Sequence, residues 1–126
     1  MKKESIADAE IIPRPYGIMK MLAGGKQMKS LNVDLRILEI RAGEATTRHH
    51  HVRSESVFHI LHGTLVMEVG SSSRVSVDLS AGDTIFIEPG EIHCLRNVGD
   101  DEGVVVEAMG PPFSQRDIFY ARDGGL

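Results

Sequence analysis

Five of the six histidines in this chain fall within one stretch, Gly43-Glu-Ala-Thr-Thr-Arg-His49-His50-His51-Val-Arg-Ser-Glu55-Ser56-Val-Phe-His59-Ile-Leu-His62-Gly63. Successive side chains of a β-strand point to opposite faces, so His49 and His51 would share one face and His50 would lie on the other. Two imidazoles on one inward face form a chelate, and the carboxylate of Glu55 follows within reach. Imidazole with carboxylate suits a first-row divalent ion better than calcium or magnesium. The stretch therefore predicts half of a metal site on a β-barrel.

The rest of the chain shows short strand patterns separated by turn residues. In residues 31–40, the apolar Val33, Leu35 and Ile37 alternate with charged residues at 34 and 36, which predicts a half-buried strand. Residues 82–97 are typical of a strand, a glycine turn and a second strand, with His93 just past the turn. Further strands are predicted at 18–22, 57–61, 64–69, 75–79 and 104–109. This pattern indicates an all-β barrel or sandwich.

Composition narrows the function classes. A chain of 126 residues is long enough for one domain with its own core, and we predict a single domain over 1–126, with a core at about 30–110, an N-terminal arm and a C-terminal tail. A net charge of −4 offers no basic field for nucleic acid or an anionic membrane, so neither is an expected partner. The single cysteine, Cys94, cannot form an internal disulfide, and the first residues lack the apolar core of a signal peptide. We therefore expect a cytoplasmic protein.

The two clusters together resemble the paired motifs of the cupin superfamily. The first motif, G-x5-H-x-H-x3-4-E-x6-G, is matched by Gly43, His49, His51, Glu55 and Gly63. The second, G-x5-P-x-G-x2-H-x3-N, is matched by Gly82, Gly90, His93 and Asn97, with Glu88 in the place of the proline and Pro89 one residue later. The resemblance implies an all-β fold, the cupin-type double-stranded β-helix or jelly-roll barrel. It also implies a divalent transition metal, one of Mn, Fe, Ni, Co or Zn, with the ligand set His49, His51, Glu55 and His93.

The first motif departs from the family pattern by one residue. Counted from the histidines, Glu55 holds the carboxylate position, whereas counting back from Gly63 places Ser56 there. A one-residue bulge between Ser54 and Val57 would reconcile the two counts. We predict that Glu55 faces the metal, because a divalent ion gains more from a carboxylate than from a serine hydroxyl.

A weaker resemblance suggests a function. Four segments are similar to the C-terminal cupin of bifunctional mannose-6-phosphate isomerase/mannose-1-phosphate guanylyltransferases, namely Arg14-Pro-Tyr-Gly17, Lys29-Ser-Leu31, Arg48-His-His-His51 and Arg53-Ser-Glu55. The similarity implies a metal-dependent enzyme of the isomerase or epimerase type that acts on a small-molecule ligand, a sugar or sugar phosphate. Small cupins also include Fe-dependent dioxygenases and non-catalytic sugar or metabolite sensors, and both remain alternatives.

An isomerase also needs a group that moves a proton. Glu55, Glu88 and His59 are candidates by residue type, and Glu55 is the catalytic residue we predict. His59 and His62 otherwise have ordinary strand or turn roles. A homodimer is expected, because family members commonly pair through an N-terminal strand and apolar residues are available at Ile11, Ile12 and 113–120.

Overall fold

The computed structural model describes residues 1–25 and 28–121. Its eleven strands are β1 (Glu10–Arg14), β2 (Gly17–Ala23), β3 (Asp34–Ile40), β4 (His49–His50), β5 (Glu55–His62), β6 (Thr64–Val69), β7 (Val75–Ser80), β8 (Thr84–Ile87), β9 (His93–Asn97), β10 (Gly103–Gly110) and β11 (Phe119–Tyr120). Two 3-10 turns, Ile6–Asp8 and Gln115–Asp117, complete the described elements. Within the described ranges, no helix has the length and apolar character needed to cross a membrane.

The strands form two antiparallel sheets. One sheet has six strands in the order β1-β2-β3-β10-β5-β8, and the other has five in the order β11-β4-β9-β6-β7. Inward side chains of both sheets meet in one apolar cluster that includes Ile40, Ile60, Leu65, Met67 and Val105. This arrangement confirms the predicted all-β jelly-roll barrel.

The strand register divides the barrel interior into two ends. Val105 of β10 lies between Leu38 of β3 and Ile60 of β5, and these three side chains are 0–3% exposed. Two residues further along β10, Glu107 lies between Arg36 and Phe58. We call the part around Ile40, Ile60, Leu65 and Val105 the closed end, and the part around Arg36, Glu107 and the histidines the cavity end.

The closed end is sealed by a buried amide. Asn97, at the end of β9, is 0% exposed. Its side-chain Nδ2 donates to the carbonyl oxygens of Ile40 and Asp101, each at 2.8 Å, and its Oδ1 accepts from the Gly99 amide at 2.9 Å. Because a buried amide is costly unless it is hydrogen-bonded, these three bonds fix the loop after β9 against β3.

Two sequence predictions differ from the structure. The face of β3 that carries Leu35 and Ile37 is the outer one, and the inward residues are Asp34, Arg36, Leu38 and Ile40. The alternation predicted that the apolar residues at 33, 35 and 37 face the interior. That prediction is wrong because a polar cavity, and not apolar packing, occupies one end of the barrel. Residues 10–12, expected in an irregular arm, belong to β1, which pairs with β2. The tail reaches the histidine strand, where β11 pairs with β4.

Candidate metal centre

Three histidines converge at the cavity end. His49 belongs to β4, His51 follows that strand directly, and His93 opens β9, where it pairs in register with His49. One ring nitrogen of each can be chosen so that all three lie within 4.8 Å of one another. Alternation along the strand and pairing across it together create this group, which contains three of the four predicted ligands.

Backbone carbonyls orient all three imidazoles. The Nδ1 atoms of His49, His51 and His93 lie 2.6, 2.7 and 2.9 Å from the carbonyl oxygens of Thr47, Asp117 and Glu91, respectively. A carbonyl oxygen can only accept a hydrogen bond, so each Nδ1 carries the proton and each Nε2 presents its lone pair.

The remaining ring nitrogens fit a metal. Nε2 of His51 and Nε2 of His93 are buried and have no hydrogen-bond partner among the described residues. Buried polar atoms of native proteins are normally satisfied, so two such atoms beside a third imidazole indicate a position where a ligand would bind. Three neutral imidazoles with fixed tautomers form a donor set suited to a divalent transition metal.

Burial keeps His49 and His93 in the ligating form. Burial, reinforced by the neighbouring His93, lowers the pKa of His49 to about 3. Burial also lowers the pKa of His93. Both imidazoles are therefore neutral near pH 7, as a metal ligand must be.

Glu55 does not join the histidines. Its side chain is exposed at the start of β5, whereas Ser56 is 2% exposed and faces the interior. The register shift in the pairing of β5 with β10 lies at the other end of the strand, opposite Val104 and Val105, and not between Ser54 and Val57. The prediction of Glu55 as the inward carboxylate is therefore corrected: without a bulge near Ser54, strict alternation turns Glu55 outward.

A cavity of about 320 Å³ adjoins the three histidines. Its apolar wall includes Met19, Leu38, Phe58 and Met109, and the C-terminal tail contributes Phe113, Ile118 and Tyr120. Its polar wall is formed by Tyr16, Arg36 and Glu107, with Arg14 beside them. A metal on the histidines would thus face a pocket large enough for a small organic molecule.

The polar wall contains a buried charge network. Arg36 donates from Nη2 to Oδ1 of Asp34 at 2.6 Å, and its Nε lies 3.8 Å from Oε1 of Glu107. All three residues are at most 5% exposed. Burial raises the pKa of Glu107, while Arg36 and the Ser56 hydroxyl oppose the shift. Glu107 is therefore a carboxyl group able to hold or release a proton inside the cavity.

Burial also affects the neighbouring phenol. It raises the pKa of Tyr16 to about 12, an effect that Arg14 partly offsets. The phenol is therefore protonated throughout the physiological range and can donate a hydrogen bond into the cavity.

Glu107 was missed by the sequence analysis. It lies in the strand predicted at 104–109, as the only charged residue in an apolar run. That isolated charge, in phase with Val105 and Met109, was the available signal, since a lone carboxylate on the inward phase of a buried strand requires a partner or a function. Arg36, one of the charged residues of the strand predicted at 31–40, lies inside the barrel with its ion pair.

The other histidines and Cys94 lie outside the converging group. The His50 ring stacks on Phe119 with centroids 5.3 Å apart. His59 is 2.7 Å from the Thr84 hydroxyl through Nδ1, and His62 lies 4.0 Å from Asp101 at the surface. Cys94 is 2% exposed, and its thiol donates to the carbonyl oxygen of Thr46. These contacts are consistent with ordinary structural roles.

Comparison with known sequences identifies a shared domain. The family model described as "Cupin domain" matches residues 36–109, more than half of the chain. An uncharacterized protein of Methanocaldococcus jannaschii is 26% identical over 106 residues, a match that covers 84% of this chain and 82% of the relative.

Comparison with solved structures shows the same fold. The capsular polysaccharide assembling protein CapF of Staphylococcus aureus superposes with a TM-score of 0.78 at 16% identity, over 89% of this chain and 34% of CapF. This chain thus spans about a third of the CapF length. Pac13 of Streptomyces, a nucleoside dehydratase, superposes with a TM-score of 0.77 at 17% identity, over 98% of this chain and 92% of Pac13. At these identities the likeness concerns the fold alone.

Proposed function

This chain belongs to the cupin family, and we propose that it is a metal-dependent enzyme that acts on a small, oxygen-rich molecule, with a sugar or sugar phosphate as the leading substrate class. The metal is a divalent transition ion bound by His49, His51 and His93. The observation that carries the proposal is the fixed orientation of the three imidazoles, whose Nδ1 atoms all face backbone carbonyls. A purely structural histidine cluster would not need two buried Nε2 atoms without hydrogen-bond partners beside a cavity.

Three protein ligands leave coordination positions open, which is the arrangement of catalytic metal sites. When bound, the ion would act as a Lewis acid toward substrate oxygens. The protein residues supply the rest of the chemistry. Glu107 Oε moves a proton at a substrate carbon or hydroxyl, and Arg36 positions that carboxyl group. Tyr16 donates a hydrogen bond from its neutral phenol, and the apolar wall around Phe58 excludes water.

The substrate class is supported by the sequence resemblance and by the cavity. The cavity volume of about 320 Å³ is at the lower end of the range for small-molecule sites. Arg36 on its polar wall is paired with Asp34 and Glu107, and Arg14 adds a further cation to the same wall, which favours a ligand with negative charge. Pac13, of comparable length, is a nucleoside dehydratase, so a barrel of this size is large enough for an enzyme on sugar-containing molecules.

The metal is tested first. Protein purified without a tag or added metal is analysed for bound Mn, Fe, Co, Ni, Cu and Zn, and its melting temperature is measured with each ion. A ligand that prefers the folded state raises the melting temperature by mass action, so we expect a clear increase for at least one ion. A protein that contains none of these ions and shows no thermal shift would contradict the proposal.

The reaction is tested with the metal-loaded protein. Aldose and ketose phosphates are incubated in D2O and followed by NMR, with oxygen consumption recorded in parallel. We expect exchange of a carbon-bound proton or interconversion of two sugars, and Glu107→Gln should abolish it while metal content is retained. Ligand binding without turnover would favour a sensor, and oxygen consumption would favour an Fe-dependent dioxygenase.

We also propose a homodimer. Val57 and Phe86 face each other across β5 and β8 on the outer surface, and they are 36% and 48% exposed. Ile11 is likewise exposed on the edge strand β1, whereas Ile12 packs toward the core. Exposed apolar residues along sheet edges favour pairing with another chain. Light scattering after size exclusion should give twice the chain mass, and a monomer at micromolar concentration would contradict the dimer.

A further inference from the structure

We infer that the C-terminal segment is part of the metal centre, with Asp117 as a positioning residue for His51, so that docking of the tail and binding of the metal are coupled. The inference rests on the proposed function for its metal. The family match ends at residue 109, so Asp117 lies outside the matched domain. The contribution of Asp117 therefore comes from a segment outside the part of the chain that the family model matches.

The Asp117 carboxylate holds the backbone that follows His51. Its Oδ1 accepts hydrogen bonds from the amides of Val52 and Arg53 at 2.9 and 3.1 Å, and its Oδ2 accepts from Arg53 and Ser54, each at 3.1 Å. Asp117 is only 6% exposed. Charge-assisted bonds to three consecutive amides in a sheltered site are strong and fix the course of the loop.

The same residue also holds the His51 ring. The backbone carbonyl oxygen of Asp117 lies 2.7 Å from His51 Nδ1. Asp117 therefore fixes both the main chain after His51 and the tautomer of its imidazole. Loss of a hydrogen bond that orients a metal ligand typically weakens metal affinity by about 10–100-fold.

Contacts on either side keep the tail in place. Before Asp117, the Ser54 hydroxyl donates to the carbonyl oxygen of Pro111 at 2.7 Å. After it, Tyr120 pairs with His49 across β11 and β4, and the Ala121 amide donates to the Arg48 carbonyl at 3.0 Å. The tail thus runs along the histidine strand, on the side opposite β9.

Coupling between two sites is reciprocal. If the docked tail orients His51 for the metal, then the bound metal must stabilise the docked tail by the same free energy. Metal binding should therefore slow hydrogen exchange of the amides of Val52, Arg53 and Ser54, whose acceptor is the Asp117 carboxylate.

The first experiment uses metal-free protein. The ring nitrogens of His51 are assigned by 15N NMR in the wild type, in Asp117→Ala, in Asp117→Asn and in the control Arg116→Ala, which changes an exposed neighbour in the same turn. We expect the Nδ1–H tautomer in the wild type and the control, and a mixture or the Nε2–H tautomer in Asp117→Ala. Asp117→Asn keeps one acceptor oxygen, so it should lie between them.

The second experiment titrates Zn2+ and Co2+ by calorimetry and by Co2+ absorption. Asp117→Ala should weaken binding about 10–100-fold and alter the Co2+ spectrum, while Arg116→Ala should match the wild type. Amide NMR spectra verify the fold of each variant. If Asp117→Ala does not fold, Asp117→Asn must still show a weaker affinity.

An unchanged His51 tautomer together with unchanged affinity and Co2+ spectrum in Asp117→Asn and Asp117→Ala would overturn the inference. A wild type that binds no metal would overturn the proposed function and the coupling. The claim that Asp117 positions His51 would then be decided by the tautomer alone.

Discussion

The cavity end and the closed end of the barrel are built from the same strands, but burial of side chains has a different effect on stability at each end. On β10, Val105 belongs to the closed end and is 0% exposed, and Glu107, two residues later, belongs to the cavity end and is 5% exposed. The closed end is aliphatic and close-packed, so it contributes stability. The cavity end buries charges, imidazoles and a phenol, which cost free energy unless they are paired or used.

The contrast shows that alternation alone does not define a hydrophobic core. β3 places Asp34, Arg36, Leu38 and Ile40 on one inward row, with the two charged residues at the cavity end. A sequence pattern that assigns polar residues to solvent therefore assigns the wrong face to this strand. In this barrel, whether an inward residue lies at the closed end or at the cavity end is as important as the face it occupies.

The largest effect is expected for a metal ligand. His93→Ala should weaken transition-metal binding by more than about 100-fold, beyond the range for lost outer contacts, because it removes a ligand atom. His59→Ala is the matched control, since that imidazole contacts Thr84 on the outside of the barrel. Calorimetric titration measures both affinities, and equal values for the two variants would show that the metal does not bind at the cavity end.

A large loss of stability is expected at the closed end. Ile60→Ala removes a fully buried side chain and should lower the free energy of unfolding by about 2–5 kcal/mol. Val57→Ala, on the outer face of the same strand, should cost far less because Val57 is 36% exposed. Urea denaturation at low protein concentration measures the difference. Similar losses at both positions would mean that the outer face is as well packed as the core.

A smaller effect on stability is expected for Glu107→Gln, and it is a gain, not a loss. Because burial raises the pKa of Glu107 above its ordinary 4.5, the native protein keeps a proton that the unfolded chain loses as the pH rises. The carboxyl therefore contributes most to stability below about pH 4.5, and its contribution falls as the pH rises through the folded pKa. Relative to the wild type, Glu107→Gln should gain melting temperature between pH 4 and pH 8. A constant difference across this range would argue against a raised pKa.

The smallest effect is expected for Glu55→Gln. Its side chain is exposed and lies outside the converging histidines, so metal affinity should stay within about twofold of the wild type. The contrast with His93→Ala distinguishes a three-histidine site from a site that includes a carboxylate. A tenfold or greater loss in Glu55→Gln would show that Glu55 turns inward when the metal is bound.

The sequence by itself determined the class of fold and the histidines that form the candidate metal centre. Short alternating strands and turn residues are local features, and they correctly indicated an all-β barrel or sandwich. The resemblance of the two histidine clusters to the cupin motifs specified the jelly roll and the convergence of His49, His51 and His93. The strand at 64–69 was predicted with the bounds that the structure shows. Such features can be predicted because side-chain alternation and turn chemistry depend only on neighbouring residues.

Tertiary structure alone decided the choice between Glu55 and Ser56, the inward face of β3 and the pairing of Glu107 with Arg36. The first depends on where the bulge falls in the pairing of β5 with β10, and a shift of one residue reverses every side chain of a strand. The face of β3 and the pairing of Glu107 depend on the register between strands, which places each residue at the closed end or at the cavity end and sets Arg36 opposite Glu107. The contact of Asp117 with His51 joins residues 66 positions apart. Register and long-range contacts are set by the packing of the whole barrel, and no local pattern encodes them.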